Sequence, residues 1–426
     1  MEDGVEVASG RITPAHIAPL SRGDLTLEGF AAALAKGDDK KERFVNVAFA
    51  TKRDMPWAKT GWVVARDQIA LGGGNITSVQ QQDGRTVSMK PPLVVNEGEK
   101  SITVACRAVA PQPPQTVGSR VPRDRISDFV AKEDAATVTV SCGGTVAVFS
   151  RKSGLLTQLT VNGVVVLKEV SPGVPAGPHL TCVRAFVDND KWLKDSFLAS
   201  GLVRLGYHPE PIVVTGDEVK TVIDVTGTKG CGFKHECTYR FASDGSITME
   251  NTVKPYGVMP KALPRLGLTM RLDPALERVK YYGRGPWENY IDRCTGSFVG
   301  LYESTVTEQY VDYVRPQDNG YKSGVRWAEF ADGAGKGVRF EASEPLFMQA
   351  LHYGWEDIFL ARHDGWQKHT QQIRRNSPPV AQRDVILNLD VRQTGLGGAS
   401  VGPAPMEKYR FDPSAPVSWE LRIAPL

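Results

Sequence analysis

Four carboxylates fall between positions 288 and 308 of this sequence: Glu288, Asp292, Glu303 and Glu308. Retaining cleavage of a glycosidic bond needs two carboxyls about 5–5.5 Å apart, one as acid/base and one as nucleophile. The same stretch also has jobs that require no catalysis. Gly283 and Gly285 permit tight turns, Pro286 fixes its own φ, and Asn289 and Asp292 can bond neighbouring backbone groups within a loop. A second group, Cys231, His235 and Cys237, has the spacing C-x-x-x-H-x-C. On a strand, His235 and Cys237 share a face, but a structural zinc site takes four ligands and the sequence offers no fourth. No metal is therefore expected. The seven histidines are further candidates for general acid or base work.

The elements that must position these groups read as strands. Glycine (42) and proline (28) are frequent, and apolar residues recur mostly with period two between turn signals, the pattern of an all-β protein. Val138 and Val140 alternate before Gly143-Gly144, with Val146 and Val148 returning. Cys237, Tyr239 and Phe241 share a face before Asp244-Gly245, after which Ile247 and Met249 resume it. Helical periodicity is confined to 25–36 and 357–362. Residues 1–71 suggest a small β-sandwich, with strands at 5–12, 45–49 and 63–71. Residues 72–135 are rich in Gly, Gln, Pro and Arg and read as a linker holding one or two strands within 79–104. From 136 to 426 the hairpins continue without a break, predicting one large antiparallel sandwich.

Composition excludes several partners. The 51 basic and 48 acidic residues leave a net charge of +3, too small and too dispersed for a nucleic-acid binder. The six cysteines form no C-x-x-C pair and read as free thiols. No apolar run approaches the roughly 18 residues of a membrane span, and no apolar segment follows the acidic Met1-Glu2-Asp3-Gly4 start. A soluble, cytoplasmic protein is expected, so the sequon Asn75-Ile76-Thr77 reads as chance. Asp3-Gly4 is a two-residue hairpin turn that calls for a strand on each side, and only 5–12 is there to serve as one. On this reading Met1 opens inside a domain.

The run Tyr281-Tyr282-Gly283-Arg284-Gly285-Pro286-Trp287-Glu288-Asn289-Tyr290-Ile291-Asp292-Arg293 closely resembles the G-x-G-P-x-E-N-Y-x-D-R signature of the last domain of glycoside hydrolase family 2 β-galactosidases. Further matches keep the family's order: Arg184-Ala185 with Asp188-Asn189-Asp190, Pro264-Arg265-Leu266-Gly267, Arg315-Pro316-Gln317-Asp318-Asn319-Gly320, His363, and Leu387-Asn388-Leu389-Asp390 before Gly397-Gly398. Upstream, Trp57-Ala58, Gly61 and Val63-Val64-Ala65-Arg66-Asp67-Gln68 resemble the end of the family's immunoglobulin-like domain, which implies a partial immunoglobulin-like β-sandwich over 1–71. The resemblance implies a galactose mutarotase-like super-sandwich over 136–426. It also places the two catalytic glutamates on a (β/α)₈ barrel, and no alternating strand and helix pattern for one is present here. Glu288, Asp292, Glu303 and Glu308 are then not catalysts. Cofactors are expected in the missing barrel, as Mg and Na, and none in this chain.

In the family the last domain closes one side of the galactose pocket. The corresponding segments here are 191–195, just after Asp188-Asn189-Asp190, and 399–402, each read as a protruding loop. Asp190, Lys191, Trp192, Ser400 and Val401 are thereby the candidate substrate contacts. Many members carry D-D-S-W where this chain has Ala399-Ser400-Val401-Gly402, so Val401 stands in place of an aromatic floor. Trp192 is a candidate replacement, able to stack on a pyranose face or to pack beneath its own segment. The implied function is the non-barrel part or small subunit of an oligomeric β-galactosidase, partnered by a barrel-bearing subunit or by the missing N-terminal part. The alternatives are a free-standing carbohydrate-binding module, with Trp192 and Trp287 as sugar platforms, and an inactive fragment.

Overall fold

A computed structural model describes residues 1–11, 38, 40–72, 94–95, 102–103, 128–168, 176–360 and 379–426. The helix expected at 25–36, the sequon at 75–77 and His363 lie outside the described residues. The chain divides into two compact units, 1–115 and 116–426.

In the first unit, strands Arg43–Ala50 and Val63–Gly72 pair antiparallel, with Val45 opposite Ile69 and Val47 opposite Asp67. Asp3 (φ 46°) and Gly4 (φ 84°) form the expected turn, and Glu2 and Val5 exchange both backbone hydrogen bonds at 2.9 Å. Positive φ at both central residues is what a type I′ hairpin demands. The strand expected at 5–12 is not seen over 6–11, and Val5 and Val7 are exposed. Phe44 and Val45 are buried, whereas Phe49 is exposed. Short strands Val94–Val95 and Ile102–Thr103 pair with each other.

The second unit is a single curled sheet of 18 described strands, antiparallel at every pairing. Its long central hairpin, Gly232–Phe241 with Ile247–Tyr256, follows the reading of the sequence. Tyr239 faces Met249, Phe241 faces Ile247, and all four are buried. The hairpin of Thr137–Cys142 and Thr145–Ser150 is also present, and its register decides which face of the return strand turns inward. Gly143-Gly144 sets Cys142 opposite Thr145, so the inward Val138 and Val140 face Phe149 and Ala147. Directly opposed residues share a face, which turns Val146 outward and leaves Val148 only half-buried. The main core cluster runs through Phe149, Phe233, Met249, Leu268, Phe330, Leu387 and Leu421, and a smaller one gathers Val187, Tyr290, Tyr321, Phe347 and Leu396. Strand Arg265–Leu272 lies at the centre of the main cluster, bonded to Val385–Gln393 on one side and to His179–Thr181 on the other.

Candidate functional site

Two buried ion pairs fix the segments that follow these central strands. Arg184 donates to Asp190 at 2.7 Å and to the Thr394 carbonyl at 2.8 Å, and Asp190 also accepts from the Val187 amide at 3.1 Å. Both side chains of this pair are wholly buried. Arg265 donates to Asp390 at 2.7 Å and to the Val183 carbonyl at 2.6 Å, while the Tyr321 hydroxyl donates to the other Asp390 oxygen at 2.6 Å. A buried carboxylate this well bonded is held in one place, and the segment carrying it is held too. Burial still raises the Asp390 carboxyl above the usual range, against the pull of Arg265. The candidate contact Asp190 is thus interior, where it anchors the turn Asp188–Asp190.

Each of the four suspected carboxylates has a structural partner. Glu288 accepts from Arg293 at 2.6 Å and from the Gly320 amide at 2.9 Å, and it also bonds the Tyr313 hydroxyl. Asp292 accepts from the Leu396 and Gly397 amides at 3.0 and 2.7 Å. A Cβ at Gly395 would meet the Asp292 carboxylate at 2.5 Å, so this position has room only for glycine. Glu303 pairs with Lys280 at 2.9 Å, which holds its carboxyl below the usual range. Glu308 closes a capping box with Thr305 on the short helix Val306–Gln309.

These contacts join four loops into one ridge. Glu288 and Tyr313 connect 286–293 to 310–318, and Arg315 pairs with Asp188. Asn189 donates to the Gly397 carbonyl at 2.7 Å and accepts from the Ser400 amide at 3.2 Å. Ser400 is therefore tied to the turn that carries Asp190. Val401, beside it, is completely exposed, and Trp287 (67 %) and Val314 (84 %) also stand out of the ridge.

The segment 191–195 is not a protruding loop. It opens the α-helix Lys191–Ser200, closed by Gly201 at φ 77°. Leu193 and Phe197, one turn apart, are both buried and explain the helix through the i, i+4 spacing of its inner face. Lys191 is exposed. Trp192 packs partly against the main core, the Arg410 guanidinium lies 4.9 Å from its ring centre, and its indole Nε1 is buried without a hydrogen-bond partner. Trp192 lines a cavity of about 690 Å³ together with residues of 255–261 and 407–414, and neither Ser400 nor Val401 borders it. That cavity was not legible in the sequence, because its walls are far apart along the chain.

His235 and Cys237 do share a face on Gly232–Phe241, but it is the core face. His235 bonds the Asn251 side chain at 3.0 Å and stacks on Trp419, and burial pushes it down to about 4. Cys231, whose thiol donates to the Ser200 carbonyl, completes no ligand set: among the described residues no group of three or more His, Cys, Asp or Glu is placed to hold a metal.

Asp318 gives the ridge a pH dependence. It accepts from Tyr290 at 2.9 Å and Gln349 at 3.1 Å, yet burial outweighs these bonds and Arg184, raising its carboxyl to about 7. The folded state therefore holds this proton between roughly pH 4 and 7 while the unfolded chain has lost it. Stability from this group is full below pH 4 and falls as pH rises to 7. Thermal melts of wild type and Asp318→Asn between pH 4.5 and 8 are expected to show the variant losing less stability with rising pH. Parallel curves would remove Asp318 as the source.

Fold and site together define an all-β, antiparallel sandwich unit whose loops are locked by buried ion pairs. A family profile described as "Beta galactosidase small chain" matches residues 141–423, and one described as "Beta-galactosidase, domain 4" matches 1–72. The chain belongs to the β-galactosidase small-chain family. The β-galactosidase of Vibrio cholerae is 26% identical over 412 residues, covering 93% of this chain and 33% of that protein. That of Lactobacillus delbrueckii subsp. bulgaricus is 29% identical over 330 residues, 76% of this chain and 27% of the relative. The β-galactosidase of Priestia megaterium is 32% identical over 161 residues, 38% of this chain and 14% of the relative. The chain thus spans a third or less of the length of these relatives. Among solved structures, galactose 1-epimerase from Lactobacillus acidophilus superposes with a TM-score of 0.40 at 10% identity, over 70% of this chain and 98% of that one. Among the described residues no helix is long and apolar enough to cross a membrane.

Proposed function

We propose that this chain is the non-barrel, C-terminal part or small subunit of a cytoplasmic, oligomeric family 2 β-galactosidase. Terminal β-galactosides are hydrolysed only when a catalytic barrel, with any Mg and Na it holds, is supplied elsewhere. The observation that carries this reading is the ridge. Its carboxylates are spent on holding loops together, while Trp287, Val314 and Val401 project from it. A rigid ridge with apolar tips suits a protein contact better than chemistry of its own. On this reading the barrel docks there, and Lys191, Ser400 and Val401 border the substrate. Asp190 acts behind them by positioning the turn. Galactoside contact through Trp192 is treated below.

The test lies in the flanking coding sequence. A barrel carrying two glycosidase carboxylates is expected, upstream in the same frame or in a neighbouring one. Co-expressed with this chain, that product should gain β-galactosidase activity, and Trp287→Ala with Val401→Asp should lower the gain at least about tenfold, the scale of one lost hot-spot contact. Val213→Asp, on the short strand Val213–Thr215, should leave it unchanged. A barrel fully active without this chain, or a gain indifferent to the ridge substitutions, would overturn the reading.

A further inference from the structure

We propose that the cavity beside Trp192 is a carbohydrate-binding site of this chain's own, distinct from the ridge proposed to meet the barrel. Its volume of about 690 Å³ falls within the range of small-molecule pockets, roughly 300–1,000 Å³. Trp192 comes from the first turn of Lys191–Ser200, and the walls come from the loop after Ile247–Tyr256 and the segment before Val417–Pro425.

The walls are preformed. Gly257 turns at φ 72°, and a Cβ there would meet the Gly230 carbonyl at 2.5 Å, so the loop that brings Met259 and Lys261 to the cavity is held by a position only glycine fills. On the opposite wall Arg410 is tethered by its Nε to the Pro405 carbonyl at 2.8 Å and lies over the Trp192 ring. Asp412 accepts from the Ser414 amide at 2.9 Å.

The lining chooses the ligand class. Trp192, Met259 and Pro260 give apolar surface for the C–H face of a pyranose, which is how aromatic and apolar side chains meet a sugar ring. Lys261, Glu407, Arg410 and Asp412 supply donors and acceptors of both signs, matched to hydroxyl groups. Two cationic and two anionic side chains give no net field to attract a charged ligand. The ligand is a neutral pyranoside, and the site works in this chain without the barrel.

The experiment titrates the full chain, with no barrel present, with methyl β-D-galactopyranoside, methyl β-D-glucopyranoside, galacturonate and glucosamine. Binding is followed by tryptophan fluorescence and saturation-transfer NMR. Saturable, single-site binding of at least one neutral glycoside in the millimolar range is expected, with the charged sugars weaker. Asp412→Ala and Arg410→Ala should each weaken it about tenfold, one hydrogen-bonding group's worth. Trp192→Phe, which keeps the apolar anchor of the helix, should alter both affinity and the fluorescence response. Trp287→Ala and Val213→Ala should bind as wild type. No saturation of any neutral glycoside by ~100 mM, well beyond a millimolar Kd, would overturn the proposal. So would preference for a charged sugar, or binding that follows Trp287 rather than Asp412. Each of these three failures leaves the partnership with a barrel standing, because no barrel enters the assay.

Discussion

Replacing Arg265 by Met is expected to destabilise the large unit by about 3–5 kcal/mol, the cost of leaving one partner of a buried ion pair behind. Asp390 has no exposed surface, and after the substitution only Tyr321 would still donate to it. A carboxylate in that position must ionise in a poorly solvated site or take up a proton. With the guanidinium gone, its folded-state pKa rises further above the unfolded value. The sign follows directly: the folded state then binds more protons than the unfolded one over a wider window, so stability falls as pH rises through it. Urea unfolding should show a larger deficit at pH 8 than at pH 5. The double replacement Arg265→Met with Asp390→Asn should recover much of the loss, because no uncompensated charge remains. A deficit below about 1 kcal/mol, the range of exposed pairs, or one that does not change with pH, would show that the pair does not hold the central strands in this way.

The sequence made some parts of this architecture legible and hid others, for physical reasons. Asp3-Gly4 and Gly143-Gly144 announce their turns because both central residues need positive φ, a demand read directly from residue type. The return strand after Gly143-Gly144 carries apolar residues on both faces, Val146 and Val148 as well as the buried Ala147 and Phe149. Periodicity alone does not choose between two apolar faces, and the turn register does. The segment 191–195 looked turn-rich, yet its helical face depends on Leu193 and Phe197 finding the core. Tertiary packing decided that case. Site chemistry was hardest to see. Arg184 and Asp190 were visible as a motif, but their pairing, and the link from Asn189 to Ser400 across 211 positions, exist only once the sheet has curled. The cavity at Trp192 joins segments near 192, 255–261 and 407–414, which no local pattern connects.

The purified chain alone is expected to release no aglycone from an aryl β-galactoside above the solvent background. A retaining site needs one carboxyl as proton donor and a second as nucleophile, both facing the same sugar, about 5–5.5 Å apart. Glu288 is only 10% exposed and takes bonds from Arg293, Tyr313 and the Gly320 amide, so it has little capacity left to meet a substrate. Asp292 is occupied by two loop amides. Glu303 and Glu308 are the accessible ones, but a lysine pair and a helix cap hold both below the usual carboxyl range. A general acid working near neutral pH requires the opposite shift, upward by burial. Among the described residues the carboxyl raised to about 7, Asp318, is buried and enclosed between Tyr290 and Gln349, and it does not line the cavity beside Trp192. The scale of the expected deficit is large, since enzymes of this kind supply a factor of at least ~10⁶ over the uncatalysed reaction. The measurement is chromogenic aglycone release by chain purified from a host lacking β-galactosidase. Turnover that copurifies with the chain and is abolished by Glu288→Gln, while thermal stability is kept, would mean that the ridge itself is a catalytic site and that no barrel is needed.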